Sequence, residues 1–300
     1  MIAVVGSNNV DLVLTVDHFT QPGETQRCIS FERFPGGKGA NQAVACKKLN
    51  AEVYFLTCVG NDGNGEFSFT SLTSAGLKDG IVRVELPNGF AIIEVTRAGQ
   101  NRIIIFPGAN GAMGVELVRD HMNDLLKADV LLLQNEIPFE VNLEVARRFK
   151  EKKKMVIFDP APATGVNEEI YKYVDIITPN ESEAHQLTGK SNELAAQELI
   201  KRGCANVLLK MGENGCYFTG TLGTFRIDAF KVEAVDTTAA GDVFNAAFAV
   251  WFERTGDLKK ALLFATAAAA ISVTRPGAQS SVPSLEEVIG FLRERRVEGF

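Results

Sequence analysis

The sequence predicts an α/β fold with a doubly wound, mostly parallel β-sheet flanked by helices, because short apolar runs alternate with segments of helical period along most of the chain. Extended segments interrupt this alternation at two places and have no helix beside them, which predicts a second, small β-sheet. The 300 residues are 46% apolar and 23% charged, as in an ordinary globular protein with a large core. These observations exclude disordered, collagen-like and disulfide-dense proteins.

The alternation defines the elements in order. The predicted strands are 2–5, 53–59, 130–133, 155–158, 176–178 and 207–210, and the predicted helices are 40–49, 65–75, 115–127, 139–153, 181–188 and 194–202. The longest uncharged apolar stretch, 261–274, is shorter than the ~18 residues of a membrane span and predicts a buried helix. Ligands of such a sheet bind at the carboxyl ends of its strands.

The second sheet is predicted from four extended segments. Residues 12–16 and 28–34 follow the first strand, and 90–95 and 102–106 form a hairpin around the turn-like residues 98–101. No linker or repeat divides the chain, so we expect residues 1–300 to form one domain with insertions at about 12–34 and 90–106. The apolar face of this sheet must be covered by a ligand, by the main domain or by another subunit.

Charge and cysteine content limit the partners. The chain has 31 basic and 37 acidic residues, a net charge of −6, which argues against nucleic acid as a partner. The five cysteines are an odd set without a C-x-x-C pair, and the N-terminus lacks the features of a signal peptide. A cytoplasmic protein with no membrane partner fits best.

A glycine-rich segment, residues 35–42, opens the helix predicted to begin near Ala40. Glycines allow a ligand to approach the backbone, and the free N–H groups of a helix N-terminus suit an oxygen-rich or anionic group. A tight turn with a helix cap is the alternative. Lys38 and Asn41 among three glycines favour binding.

A second segment with small residues, 236–242, precedes a helix predicted to be almost wholly buried, with Asp242 in its first turn. A lone Asp there is ordinarily a cap or a partner of the helix dipole. Ala239, Ala240 and Gly241, however, leave backbone N–H groups and one carboxylate facing the same space. This arrangement suits phosphoryl transfer, because amides stabilise the moving charge while a carboxylate accepts the proton of a hydroxyl.

Common nucleotide-binding motifs are absent. Gly189-Lys190-Ser191 matches the end of a P-loop, but Ala184 stands where its first glycine must be, and no G-x-G-x-x-G occurs. A P-loop NTPase and a Rossmann dehydrogenase both lose support.

Four segments in order resemble the motifs of the PfkB family of sugar kinases, in the form found in its ribose-phosphorylating branch. They are 36–42, the Asn-x-x-Glu segment 177–184, 236–242 and 274–283, and the resemblance extends from Gly6 to Pro283. Two departures, Ala246 where the family usually has Gly and Pro276 in the last motif, leave the chemistry intact. Ala246 should raise helix propensity, and Pro276 retains its carbonyl.

The resemblance implies ATP-dependent phosphorylation of the 5-hydroxyl of D-ribose, giving D-ribose 5-phosphate and ADP. Asp242 would be the general base, with the N–H groups of Ala240, Gly241 and Asp242 as an anion hole. The implied sugar-binding residues are Asn9, Asp11, Gly37, Lys38, Gly39, Ala40, Asn41, Glu136 and Asp242. Asp11 and Glu136 follow predicted strands, and one carboxylate can hold two sugar hydroxyls, although each acid could instead only cap the next helix.

The resemblance also implies a nucleotide site and two cations. The implied nucleotide-binding residues are Asn180, Lys210, Gly212, Gly215, Ala240, Gly241 and Asp242, with Thr266 near the adenine. Glu183, one turn from Asn180, would organise Mg²⁺ through water. A monovalent cation, K⁺, would be held by a side-chain oxygen of Asp236, the carbonyls of Thr238, Ser272, Arg275 and Gly277, and the Ser281 hydroxyl.

Alternatives remain at this stage. The sugar could be 2-deoxyribose or, further away, fructose or a nucleoside, and a sugar-binding regulator without catalysis or a structural protein are rivals from other classes. The hairpin 90–106 resembles lid strands that cover the sugar and pair with a second subunit. We therefore expect a homodimer that buries Ile92, against the alternative of a lid packed only on its own domain.

Overall fold

A computed structural model describes residues 1–300 and contains a nine-stranded and a four-stranded sheet. The strands are β1 (Ile2–Val5), β2 (Asn9–Val16), β3 (Ser30–Gly36), β4 (Val53–Gly60), β5 (Ile81–Val84), β6 (Phe90–Thr96), β7 (Asn101–Phe106), β8 (Val130–Gln134), β9 (Met155–Asp159), β10 (Ile176–Ile177), β11 (Asn206–Lys210), β12 (Cys216–Gly220) and β13 (Gly223–Ile227). The helices are α1 (Lys38–Lys48), α2 (Gly63–Ser74), α3 (Val115–Leu125), α4 (Phe139–Glu151), α5 (Glu181–Thr188), α6 (Asn192–Lys201), α7 (Ala240–Thr255), α8 (Leu258–Ser272) and α9 (Leu285–Glu294). No helix has both the length and the hydropathy needed to span a membrane.

The large sheet has the order β13-β12-β11-β10-β9-β8-β1-β4-β5 and confirms the doubly wound prediction. Neighbouring strands pair in parallel, except that β12 pairs antiparallel with both β11 and β13 at one edge. Alternate residues of β1 enter separate hydrophobic cores, Ile2 and Val4 on the face covered by α1, α7 and α8, and Ala3 and Val5 on the face covered by α3, α4 and α6. Burial on both faces explains why these strands are continuous apolar runs.

The direction of winding changes between β1 and β8. From β1 the chain proceeds to β4 and β5 on one side, and from β8 it proceeds through β9 to β11 on the other. In open α/β sheets, ligands bind outside the carboxyl ends of the strands at such a switch point. The segments that follow β1 and β8 here carry Asn9, Asp11 and Glu136.

The small sheet has the order β3-β2-β6-β7 and confirms the prediction of a second sheet. Strand β2 pairs in parallel with β6, so Leu12 and Ile92 lie side by side and Ile104 continues the row on β7. Ile103, Ile104 and Ile105 are each more than half exposed. Strand β7 therefore exposes apolar side chains on both of its faces.

The sequence patterns missed several elements. The edge strand β5, the hairpin of β12 and β13, and α9 were not predicted. Arg83 interrupts β5 and Arg226 interrupts β13, so neither edge strand is a continuous apolar run. Helix α1 begins at Lys38, two residues before the predicted start, because Gly37 adopts a positive φ of 88° at the N-cap and turns the chain into the helix.

Candidate active site

The N-terminus of α1 lies against the end of β8. The carboxylate of Glu136 accepts hydrogen bonds from the Ser7 hydroxyl at 2.6 Å and from the backbone N–H of Lys38 at 3.0 Å, both through Oε2. Glu136 therefore binds the first turn of α1 and does not cap the next helix. Its Oε1 makes no hydrogen bond within the protein and is available to a ligand.

Asp11 lies on β2, an inner strand of the small sheet, near Glu136. Burial, and then the charge of Glu136, raise the pKa of Asp11 to about 6. A Cβ atom at position 36 would lie 2.3 Å from Asp11 Oδ2, so the absence of a side chain at Gly36 makes room for this carboxylate. Asn9 is also buried, and its Oδ1 accepts a hydrogen bond of 2.7 Å from Asn110.

Asp242 lies in the first turn of α7. Ala239, the N-cap, has a φ of 58°, which directs the chain into the helix. The N–H of Ala240 donates to Thr237 at 3.2 Å, whereas those of Gly241 and Asp242 have no acceptor within the protein. Two free amides and a carboxylate therefore occupy one helix N-terminus, a suitable site for a phosphate group.

Each oxygen of the Asp242 carboxylate accepts a side-chain amide from α1. Asn41 donates to Oδ2 at 3.0 Å and Gln42 to Oδ1 at 3.1 Å. Burial raises the pKa of Asp242, Lys38 opposes this shift, and the negative charge of Asp159 adds to it. A raised pKa suits a group that accepts a proton near neutral pH.

Two lysines balance the acidic groups. Burial disfavours the Lys38 cation, but the carboxylates of Asp242 and Glu136 outweigh this cost and raise the pKa of Lys38. Lys210 donates to Asp159 Oδ1 at 3.0 Å, and both side chains are nearly buried. A Cβ atom at position 241 would lie 3.4 Å from Lys210 Nζ, so Lys210 also borders the N-terminus of α7.

The residues expected to bind nucleotide have structural partners here. Asn180 and Glu183 form a capping box at α5, with reciprocal bonds of 2.8 Å. Gly212 and Gly215 have φ values of 54° and 83° in the tight connection between β11 and β12. Thr266 is buried, and its hydroxyl donates to Leu262 at 2.8 Å.

Comparison with known proteins agrees with this geometry. The model of the pfkB family carbohydrate kinases matches residues 1–285. The chain belongs to this family. It is thus a phosphotransferase that acts on a sugar hydroxyl, and the resemblance of the four motifs is confirmed.

Individual relatives cover nearly the whole chain. The Thermotoga maritima ribokinase structure is 51% identical with a TM-score of 0.92 and covers 97% of this chain and 99% of its own. The Arabidopsis thaliana ribokinase, complexed with ribose and ATP, is 32% identical with a TM-score of 0.88 and corresponding coverages of 97% and 98%. A curated deoxyribokinase of Salmonella typhimurium is 36% identical, covering 97% of this chain and 98% of that protein.

The loop before α7 of this PfkB kinase is joined to the loop after α8. Asp236 accepts N–H groups from Thr238 at 2.9 Å and from Gly277 at 2.8 Å. Although partial burial disfavours its charge, these bonds and one from the Thr238 hydroxyl lower the pKa of Asp236. The carbonyls of Thr238, Arg275 and Gly277 accept no backbone hydrogen bond, whereas that of Ser272 accepts one from Arg275.

The Ser281 hydroxyl donates to Ala278 and keeps its lone pairs free. Uncommitted carbonyl and hydroxyl oxygens suit a weakly held monovalent cation. No cluster of three or more His, Cys, Asp or Glu side chains is placed to hold a metal ion.

Sequence reasoning missed three residues of this candidate site. Ser7 contacts Glu136, Gln42 contacts Asp242, and Asp159 contacts both Gln42 and Lys210. Asp159 had a usable signal, because it ends β9 in the same way that Glu136 follows β8. Gln42 lies within the glycine-rich segment, but only the packing of α1 on α7 reveals its partner.

Proposed function

We propose that this kinase transfers the γ-phosphoryl group of ATP to the 5-hydroxyl of D-ribose. The hydrogen bond of 3.0 Å from Asn41 to Asp242 carries the proposal, because it joins the glycine-rich sugar segment to the N-terminus of α7. The similarity to ribokinases supports ribose, and the Arabidopsis complex with ribose and ATP supports both substrates.

In the proposed step, Asp242 accepts the proton of the 5-hydroxyl as the sugar oxygen bonds to the γ-phosphorus. The bond from that phosphorus to the bridging oxygen of ADP breaks, and ADP leaves with its electron pair. The free N–H groups of Gly241 and Asp242 stabilise the charge of the moving group, and Ala240 positions them. Asn9, Asp11, Lys38 and Glu136 orient the sugar beside Gly37, Gly39 and Ala40.

The proposed nucleotide site lies between α5 and the β11–β12 connection. Asn180, Lys210, Gly212 and Gly215 border the phosphates, and Thr266 lies towards the adenine. Mg²⁺ would neutralise phosphate charge, with Glu183 contributing through water. Burial and the neighbouring Asp159 raise the pKa of Glu183, so a cation would favour its ionised form.

We also propose K⁺ at the Asp236 loop, where it would brace the segment leading to Asp242. The open carbonyls of Thr238, Arg275 and Gly277 support it, with Ser272 and Ser281 completing the set. Five unpaired cysteines, four of them buried, support a cytoplasmic location for the chain.

Substrate choice is tested by initial rates of ADP formation with ribose, 2-deoxyribose, fructose and nucleosides. We expect the highest kcat/KM for ribose, because a pocket that binds a hydroxyl rejects an analogue that lacks it. The Salmonella deoxyribokinase makes 2-deoxyribose the second candidate. A higher kcat/KM for 2-deoxyribose would assign that sugar, and a rate independent of every sugar would contradict a kinase function.

We further propose that residues 1–300 form one domain whose small sheet is a lid and the interface of a homodimer. The row of Leu12, Ile92 and Ile104 on one face of this sheet supports it, since Ile104 is 61% exposed in a single chain.

Ile104→Glu is expected to convert the dimer to monomers at micromolar concentration. A charge in the apolar interface should raise the dissociation constant roughly 100-fold. Leu222→Glu is the matched control, because Leu222 is an exposed apolar residue in the turn between β12 and β13. Sedimentation velocity distinguishes the outcomes, and a monomeric parent or a dimeric Ile104→Glu variant would contradict the interface.

A further inference from the structure

Gln42 lies between two buried carboxylates of the active site. Its Nε2 donates to Asp242 Oδ1 at 3.1 Å and to Asp159 Oδ2 at 3.3 Å. The Gln42 side chain has no exposed surface, and Asp159 and Asp242 are 3% and 5% exposed. One amide nitrogen thus uses both of its protons on two acidic groups.

A second amide fixes the orientation of this one. Gln134, at the end of β8, donates from Nε2 to Gln42 Oε1 at 2.7 Å. If the Gln42 amide were reversed, its oxygen would face both carboxylates and its nitrogen would face the Gln134 donor. Three unfavourable pairings would replace three hydrogen bonds, so only one orientation is stable.

Without a donor between them, the negative charge of Asp159 would oppose the ionisation of Asp242 more strongly. The other charged group that acts on Asp242 is Lys38 on α1, while Lys210 at the end of β11 borders the neighbouring Gly241. Lys210 is paired with Asp159, so it compensates that charge directly. Asp242 forms no salt bridge and depends on the charge of Lys38 and on amide donors.

We infer that Gln42 is a positioning residue for proton transfer, which keeps Asp242 ionised and oriented beside a second buried carboxylate, Asp159. This inference rests on the proposed function for its kinetic consequence, but its electrostatic consequence holds for any sugar. Gln42 holds Oδ1 while Asn41 holds Oδ2, so the carboxylate plane cannot rotate away from the reacting hydroxyl.

Two substitutions should shift the pKa of Asp242 in opposite directions. Gln42→Met keeps the length of the side chain but removes a bond to the ionised form, so the pKa of Asp242 should rise. Asp159→Asn removes a neighbouring negative charge, so the pKa should fall. The side-chain ¹³C signals of aspartate-labelled protein, followed by NMR against pH without substrate, measure both shifts.

Asn142→Leu is the matched control. Asn142 is a fully buried amide that donates to the Gln134 carbonyl at 2.8 Å and contacts no carboxylate. Its replacement tests the loss of a buried amide beside β8 and should leave the Asp242 titration unchanged. Shifts in the same direction for Gln42→Met and Asp159→Asn, or none in either, would overturn the inference.

Kinetics provide the second readout. Gln42→Met should lower kcat about 10- to 100-fold, the effect of one hydrogen bond to a charged group. The KM values for sugar and ATP should stay within about threefold, and the acidic limb of the kcat profile should move to higher pH. If the parent protein did not turn over ribose, only the proposed function would be contradicted, because the NMR titration tests the role of Gln42 independently.

Discussion

Asp242→Asn is expected to lower kcat by about 10²- to 10⁴-fold on a folded protein, because an amide cannot accept the proton of the sugar hydroxyl. Asp242 combines a carboxylate with a position beside the free backbone N–H groups at the N-terminus of α7. These amides, together with substrate binding, should sustain the residual rate.

This loss should not follow from unfolding. Burial raises the pKa of Asp242, which means that its charged form is destabilised in the folded protein at neutral pH. The variant removes that cost, but its side-chain amide has a single oxygen and can accept a hydrogen bond from only one of Asn41 and Gln42. We therefore expect a melting temperature close to that of the parent.

The experiment compares three proteins. Initial rates with ATP and ribose, melting temperatures and circular dichroism are measured for the parent, Asp242→Asn and Asp120→Asn. Asp120 is an exposed residue of α3 outside the site, so its variant should keep the parental rate. Turnover of Asp242→Asn within tenfold of the parent would exclude Asp242 as the general base.

The sequence predicted the central sheet because strands buried on both faces are uninterrupted apolar runs. The edge strand β5, whose residues include the exposed Arg83, lacks that pattern and was missed. The boundaries of α1 depended on the positive φ of Gly37, a conformation that composition alone cannot distinguish from an ordinary turn.

Site residues were predicted where the residue type alone indicates the chemistry. They were missed where the role depends on contact between two residues that are distant in sequence. Asp242 and Glu136 were identifiable as acids next to a helix start or a strand end. Gln42 contacts Asp242 across 200 residues of sequence. A glutamine in the first turns of a helix is ordinarily solvated, and only the packing of α1 against α7 buries this one.

Asp11→Asn is expected to increase stability while it removes most of the sugar affinity. Burial and the charge of Glu136 raise the pKa of Asp11 to about 6, from a reference value of 3.8. Because the folded protein binds this proton more tightly than the unfolded chain, ionisation of Asp11 costs stability. The cost is absent below about pH 4, grows as the pH rises to about 6, and is complete above it.

The shift corresponds to about 3 kcal/mol at neutral pH, and the buried amide of the variant should recover about 1–2 kcal/mol of it. A gain of that size raises the melting temperature by a few degrees, on the order of 2–6 °C. The gain should disappear at pH 4, where Asp11 of the parent is itself protonated. An equal gain at pH 7 and pH 4 would show that charge is not its cause, and Asp120→Asn should show no gain at either pH.

The same ionised group should hold the sugar. A carboxylate accepts two hydroxyls in charge-assisted bonds, and their loss in Asp11→Asn should raise the KM for ribose on the order of 100-fold. In the parent, the KM should rise as the pH falls through about 6, because protonation removes acceptors from Asp11. Glu136→Gln should shift this rise in KM to lower pH, since it removes the neighbouring charge that raises the pKa of Asp11. The stability lost to an ionised Asp11 and the affinity gained from it thus have one origin, a carboxylate kept charged in a buried pocket beside another acid.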